Sequence, residues 1–372
     1  MKRRLAVLAA TLLLPAAAQA AIPRVGAHAY LVENGDTGEV LLRYGIHRQL
    51  AVASLTKLMT VLITLERTHL DDVVTVSPEA ASVGESSVHL RGGERLTVRE
   101  LLEAALIQSA NDAADALAYY VGRGDEDAFV GSMNAHARRL HLRDSHFVRP
   151  DGLDAPGHVS SAHDVTELAR LVMRNPAVRA IVRRKTATIS GGRTLHTWND
   201  LLYSFPGLIG VKTGHTSTAG WSEVGAAQRR GVTIYATVIG SPDRKTRNAA
   251  VATLLGWGLA HYRPLSLVQG GRIYARVKTE YGRGSFALVP ERQLVAVARI
   301  DRPLVERVVA PETASLPIAR GQRLGWVRIY QDGRLVGRRH LVANRSVTVP
   351  NVAGRITWYA GRTAKHILGW FS

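Results

Sequence analysis

The stretch "LAVASLTKLMTVL", residues 50–62, decides how the chain is read. It sets Ser54 three residues ahead of Lys57 in an almost wholly apolar run, where a lysine is seldom found without a reason. Apolar residues on nearly every side predict a helix over 54–66, buried within a domain rather than lying on its surface. On a helix, positions three apart share a face, so hydroxyl and amine approach hydrogen-bond distance. A lysine at its reference pKa of about 10.4 is a poor base at neutral pH. Burial disfavours its charged form, and a second nearby cation lowers the pKa further. An apolar helix is therefore a setting in which lysine takes a serine proton. A Ser-x-x-Lys pair arises by chance about once in a chain of this length. Here Ser54 is the only serine with a lysine three residues on.

Two further elements widen the reading. Ser109-Ala110-Asn111 falls at a break between two helical stretches. The first is Thr97–Leu106, opened by a Thr97/Glu100 capping box, and the second is Asn111–Val121. Such a break turns side chains into a cleft, where a hydroxyl relays a proton and an amide holds a peptide carbonyl. The rival Ser132-Met133-Asn134 reads as part of an ordinary amphipathic helix. Lys212-Thr213-Gly214 follows Pro206-Gly207 on a strand-like stretch. Its cation, hydroxyl and glycine together suit a carboxylate, the glycine allowing a substrate backbone to come close. Lys212 would also be the second cation beside Lys57. Three other lysine-threonine pairs, at 185, 245 and 278, lack the glycine.

Around these elements, Ala27–Tyr44 reads as a hairpin turning at Asn34-Gly35-Asp36-Thr37-Gly38. A helix is expected over His163–Met173, strands near 208–213, 219–226 and 231–239, and a last helix over Arg247–Ala260. An early hairpin, central helices and late strands make a sheet with helices packed on it. From 263 to 352 short alternating runs predict a small all-β domain. Over 355–372, Ile356, Tyr359, Ala360, Thr363, Ile367, Trp370 and Phe371 share one helical face. Arg355, Arg362, Lys365 and His366 share the other, which suits a helix lying in a membrane interface better than one capping a core.

Residues 1–20 read as a secretory signal: Lys2, Arg3 and Arg4, an apolar run from Leu5 to Leu14, then Ala18-Gln19-Ala20. The apolar run is too short to span a bilayer. Losing it would lower the net charge of +18 by only three. An exported basic protein seldom meets nucleic acid, so anionic lipid or a cell-wall polymer is the expected partner. The chain has no cysteine, which excludes disulfides, cysteine nucleophiles and thiolate metal sites. No H-E-x-x-H occurs among its histidines; no metal and no cofactor are expected.

S-x-x-K, S-x-N and K-T-G in this order form a signature of penicillin-binding proteins and class A β-lactamases. With "ENGDTGEVLLRYG", "LLEAALIQSANDAADALA", "PDGLDAPGHVSSAHD" and "GVKTGHTSTAGW", the chain resembles the low-molecular-weight penicillin-binding proteins that act as serine-type D-alanyl-D-alanine carboxypeptidases. The likeness is close over about 25–262 and holds only in outline beyond. It implies an α/β (α+β) catalytic domain of the β-lactamase/transpeptidase kind over 21–262, an antiparallel sheet with helices on it. A β-rich domain over 263–352 and an amphipathic membrane-surface helix over 353–372 would follow.

The resemblance also implies roles. Ser54 would be the nucleophile, Lys57 its base and Ser109 the relay to the leaving amine. Asn111 would hold the penultimate residue's backbone, Lys212 the electrostatics, and Thr213, Gly214 and Arg247 the terminal carboxylate. Main-chain amides of Ser54 and His215 would form the oxyanion hole. The substrate would be a peptidoglycan stem peptide, and β-lactams would acylate the same serine. Localisation would be periplasmic or on the outer face of the cytoplasmic membrane, with a part in cell-wall biogenesis and cell shape. Two stretches depart from the family pattern, "RPDGL" at 149–153 and "WSEVGAAQRR" at 221–230, and neither is expected to touch a catalytic side chain. The alternatives are a β-lactamase, against which the lack of a glutamate in 149–163 counts, and a non-catalytic cell-wall binding protein.

Overall fold

The computed structural model describes residues 5–12, 21–282 and 284–368. The chain divides into two units: Ala21–Ala260, and a second whose described part is Leu5–Leu12 with residues 261 to 368.

In the first unit, β1 (Ala29–Asn34) and β2 (Glu39–Tyr44) form the expected hairpin. Asn34 Oδ1 accepts from the Asp36 and Thr37 amides and so builds the turn. The late strands are β3 (Leu208–Thr216), β4 (Gly220–Arg229) and β5 (Val232–Ser241). Together they make an antiparallel sheet in the order β2-β1-β5-β4-β3, which leaves β3 at an edge. Every residue of β5 is buried, so both faces of the sheet are covered.

The helices that bear on the site are α1 (Lys57–Arg67), α2 (Val98–Glu103), α3 (Asn111–Val121), α4 (Glu126–Arg139), α5 (Ala162–Val172) and α6 (Arg244–Ala260). Thr166 of α5 bonds Thr237 of β5 at 2.6 Å. Gly258 of α6 lies so close to Ile234 and Val32 that a Cβ there would meet them at 2.8 and 2.9 Å. Ile234 and Thr237 are three apart on an extended strand and point to opposite faces. Helices α5 and α6 therefore cover opposite sides of the sheet. Leu58, Met59, Val61 and Ile63 of α1 are fully buried, each worth about 1.5–3 kcal/mol.

Several boundaries differ from expectation. The helix expected over 54–66 is a 3₁₀ turn, Ala53–Thr56, that passes into α1 at Lys57. The last helix of this unit starts at Arg244, where Asp243 accepts from the Thr246 amide. The Thr97/Glu100 capping box is present. Ser132 and Asn134 lie on α4 as an ordinary helix should, Asn134 clamping the main chain of Phe147.

In the second unit a seven-stranded sheet runs Leu5–Leu12, Leu304–Pro311, Arg323–Gln331, Arg334–Ala343, Ser285–Pro290, Ala275–Thr279, Thr313–Ala314. Val277, Phe286, Leu288, Val327, Ile329 and Leu341 form the centre of its core. The run read as a signal supplies the edge strand Leu5–Leu12, paired antiparallel with Leu304–Pro311; its basic start and Ala18-Gln19-Ala20 lie outside the described residues. The terminal helix spans Val352–Leu368. Ile356 and Tyr359 are largely exposed, and Tyr281 packs edge-on against Trp358 and Tyr359; Trp370 and Phe371 lie outside the described residues. Among the described residues no helix is long and apolar enough to cross a membrane.

Candidate active site

The three motifs converge where the 3₁₀ turn, the α2–α3 junction and edge strand β3 meet. They border a cleft of ≈ 360 Å³ lined by Ser54, Ser109, Thr213, Gly214, His215 and Arg247. A 3₁₀ turn eclipses residues three apart, and Lys57 Nζ stands 2.9 Å from Ser54 Oγ. Nζ also donates to Asn111 Oδ1 at 2.7 Å and to the Asp151 carbonyl at 2.6 Å. Lys57 is wholly buried, and burial pulls its pKa down to about 8 against the opposing pull of Asp151, Asp115 and Asp112.

Ser109 ends a π-helical turn, Ala104–Gln108, and adopts a left-handed conformation with φ 64°. Such backbone is costly for a non-glycine residue and collects at functional sites. It re-aims the chain so that Lys212 Nζ reaches Ser109 Oγ at 2.7 Å, while also donating to the Thr213 carbonyl at 2.7 Å. Burial first, then repulsion from Lys57 and Arg247, holds the Lys212 pKa well below the ordinary lysine value. The sequence reading made Lys212 the cation that depresses Lys57. In the structure burial does that, and the repulsion between the two ammonium groups falls on Lys212.

Gly214 is needed for packing: a Cβ there would lie 3.0 Å from Ser54 N and 3.1 Å from both Ala53 Cβ and Val52 O. The His215 ring is exposed and stacks on Trp221 with centroids 4.1 Å apart. Arg247 lines the cleft from α6 but is nearly inaccessible, with Trp221 beside its guanidinium.

The expectation that neither stretch touches a catalytic side chain fails for "RPDGL"; the contact that "WSEVGAAQRR" makes is with Arg247, expected to bind the terminal carboxylate. The Asp151 carbonyl receives Lys57, and Glu223 approaches Arg247 Nε at 3.2 Å. The 149–158 loop grips the nucleophile's turn at further points. Thr60 donates to the Pro150 carbonyl at 2.6 Å, and Gly152 is so close that its Cβ would lie 2.1 Å from the Ala53 carbonyl. His158 Nδ1 accepts from the Val148 amide, so its Nε2–H donates to Thr56 Oγ1 at 2.7 Å. Asp151 itself is turned to Arg149, at 2.7 Å, and to the Leu153 amide.

The rim was also missed. Glu85, Ser86 and Trp198 line the cleft. Asn111 Nδ2 donates to the Gly84 carbonyl, and buried Asp112 holds Ser87, Val88 and Leu90. The arrangement provides a hydroxyl beside a depressed lysine, a second lysine–serine pair, and a walled cation, which together suit acyl transfer to a serine.

The profile of the peptidase S11 family, described as D-alanyl-D-alanine carboxypeptidase, matches residues 16–243. The chain is 32% identical to the D-alanyl-D-alanine carboxypeptidase DacD of Salmonella typhimurium, over 96% of this chain and 98% of the relative. It is 30% identical to DacF of Bacillus subtilis, over 89% and 87%. Among solved structures, penicillin-binding protein 5 of Haemophilus influenzae superposes with a TM-score of 0.63 at 25% identity, over 89% of this chain and 100% of the other. The Streptomyces K15 DD-transpeptidase superposes with a TM-score of 0.61 at 31% identity, over 64% of this chain and 98% of the other.

Proposed function

The chain belongs to the D-alanyl-D-alanine carboxypeptidase family of serine peptidases, and from that premise we propose that it removes the terminal D-alanine of peptidoglycan stem peptides through an acyl-enzyme on Ser54. The observation that carries the reading is the pair of buried contacts, Ser54–Lys57 at 2.9 Å and Ser109–Lys212 at 2.7 Å, bordering one cleft.

Neutral Lys57 takes the Ser54 proton as Oγ attacks the carbonyl between the two D-alanines. The amides of Ser54 and His215 receive the oxyanion, and the close fit of Gly214 on the Ser54 turn supports that pairing. Ser109, held by Lys212, delivers a proton to the leaving amine. Thr213 and Arg247 hold the terminal carboxylate, and Asn111 orients the substrate backbone beside Lys57. Water then attacks the acyl group and frees Ser54. A β-lactam enters as a mimic of the dipeptide and acylates the same hydroxyl. We place the mature protein outside the cytoplasm, cleaved after residue 20, a cut that would remove the edge strand Leu5–Leu12 and leave Leu304–Pro311 at the sheet edge, and lying on an anionic membrane through 353–372, in keeping with the exposed Ile356 and Tyr359.

The test is D-alanine release from a pentapeptide ending in D-Ala-D-Ala, measured for the protein beside Ser54→Ala. Release by the parent and none by the variant is expected; release that survives in Ser54→Ala overturns the mechanism.

A further inference from the structure

Glu223 is fully buried on β4, directly opposite Thr213 in the β3–β4 register. It points to the α6 side of the sheet. Gly225, two residues on, is packed so that a Cβ would meet Val251 and Leu255 of that helix. From there the carboxylate approaches Arg247 Nε at 3.2 Å. Neither oxygen has a well-aligned hydrogen bond; Arg247 and the Asn199 amide face it without completing one. A purely structural buried acid has its oxygens saturated, because an unsolvated and unbonded charge is costly.

Arg247 is engaged through Nε and Nη2: by Glu223, by Asn248 Oδ1 at 2.5 Å, and more distantly by Asp200 at 3.7 Å. Asp200 is partly exposed and committed to Arg244, which it receives at 2.7 and 2.5 Å. Glu223 is thus the buried counter-charge of Arg247. A substrate carboxylate arriving at Arg247 would put a second anion beside it, and two carboxylates that share one site cannot both stay ionised at low cost.

We propose that Glu223 is the resident counter-ion of Arg247, ionised in the empty cleft on the alkaline side of neutrality, and that it takes up a proton when a substrate's terminal carboxylate binds. The inference rests on Arg247 being the carboxylate receptor. The proton comes from solvent and no bond to carbon changes. Around Glu223 stand Arg247 and Arg244 on α6, Asn199 and Asp200 before the short helix Leu201–Ser204, Lys212, Thr213 and His215 on β3, and uncharged Val238 opposite on β5. Burial raises the Glu223 pKa to about 7, with Asp200 adding to the rise and Arg247, Asn199 and Lys212 opposing it. Glu223 acts through Arg247 and is a positioning residue. It makes the carboxylate receptor stronger on the acid side of neutrality.

The experiment is titration calorimetry of the Ser54→Ala protein with a D-Ala-D-Ala peptide and with its C-terminal amide, from pH 6 to 8, in buffers of different ionisation enthalpy. The acid should bind with uptake approaching one proton at the alkaline end, its affinity falling about three- to tenfold from pH 6 to 8. With Glu223→Gln added, uptake should vanish and the affinity stay near its pH 6 value throughout. Equal uptake with and without Glu223→Gln, or none in the parent, overturns the proposal. Acid and amide bound alike would instead sink the receptor reading of Arg247. Absence of uptake in the parent needs no altered Glu223, so it overturns the proposal even if Glu223→Gln fails to fold; uptake in the parent supports Glu223 over Lys57 and Lys212 only when Glu223→Gln abolishes it.

Discussion

Replacing Gly214 by alanine tests whether the nucleophile's turn and β3 form one rigid assembly. The new Cβ would stand 3.0 Å from Ser54 N and 3.1 Å from Ala53 Cβ and Val52 O. Comfortable heavy-atom contacts lie at about 3.5–4.0 Å, so roughly 0.5 Å must be found. Two of the three atoms are main chain, and no flexible side chain can swing aside. Strand β3 is tied along its length to β4, so the Ala53–Thr56 turn has to yield. That displaces Ser54 Oγ from Lys57 and moves an oxyanion donor in the same step. A misplacement near 1 Å costs on the order of 10²-fold in rate, so Gly214→Ala should acylate roughly 10- to 10²-fold more slowly. The overpacking should cost about 1–3 kcal/mol of stability. The assay is the acylation rate with a fluorescent penicillin, beside a thermal melt. Gly131→Ala is the control: it lies inside α4 with nothing within 4 Å of the added carbon. It should acylate normally and gain about 0.5–1 kcal/mol of stability. Acylation of Gly214→Ala within twofold of the parent would refute the rigid assembly.

Two more outcomes follow from the same structure. Lys57, lowered to about 8, acts as a base only when neutral, which is roughly one-tenth of molecules at pH 7 and half at pH 8. Acylation should therefore rise about fivefold from pH 7 to 8 and level off above pH 9; a rate that falls across this range would mean Lys57 is not the base. Deleting 353–372 should free the protein from anionic vesicles while peptide hydrolysis continues; a truncated protein that still sediments with vesicles removes the terminal helix from the anchoring role.

The three motifs were legible because each is local: a short span of sequence carries the residues, and burial of α1 follows from its apolar composition. Arg247 was legible only through the resemblance, since its partner Glu223 lies on another element and the two meet in space, not in sequence. Asp151 was missed for a different reason. It serves Lys57 through its carbonyl, from 94 residues away, and a main-chain acceptor leaves no trace in side-chain identity. Gly152 shows its purpose only beside the Ala53 carbonyl, which the sequence does not bring near it. The 3₁₀ turn escaped because periods of 3.0 and 3.6 residues are indistinguishable over four positions. Ser109 looked like a simple break between helices, whereas its left-handed backbone is what faces the hydroxyl to Lys212.

The loop at 149–158 has a consequence for how such a protein would meet an antibiotic. Both of its acids are occupied, Asp151 by Arg149 and the Leu153 amide, Asp154 by Thr216 Oγ1 and the Thr218 amide. Neither is at liberty to activate water against an acylated Ser54, and the loop cannot swing round without loosening its hold on Lys57 and Thr60. Water that frees an acylated Ser54 would then be activated by the groups that serve the peptide acyl-enzyme, Lys57 and the Ser109–Lys212 pair, and not by a loop carboxylate. A lineage seeking true drug destruction from this scaffold would have to rebuild the loop that holds its own base in place.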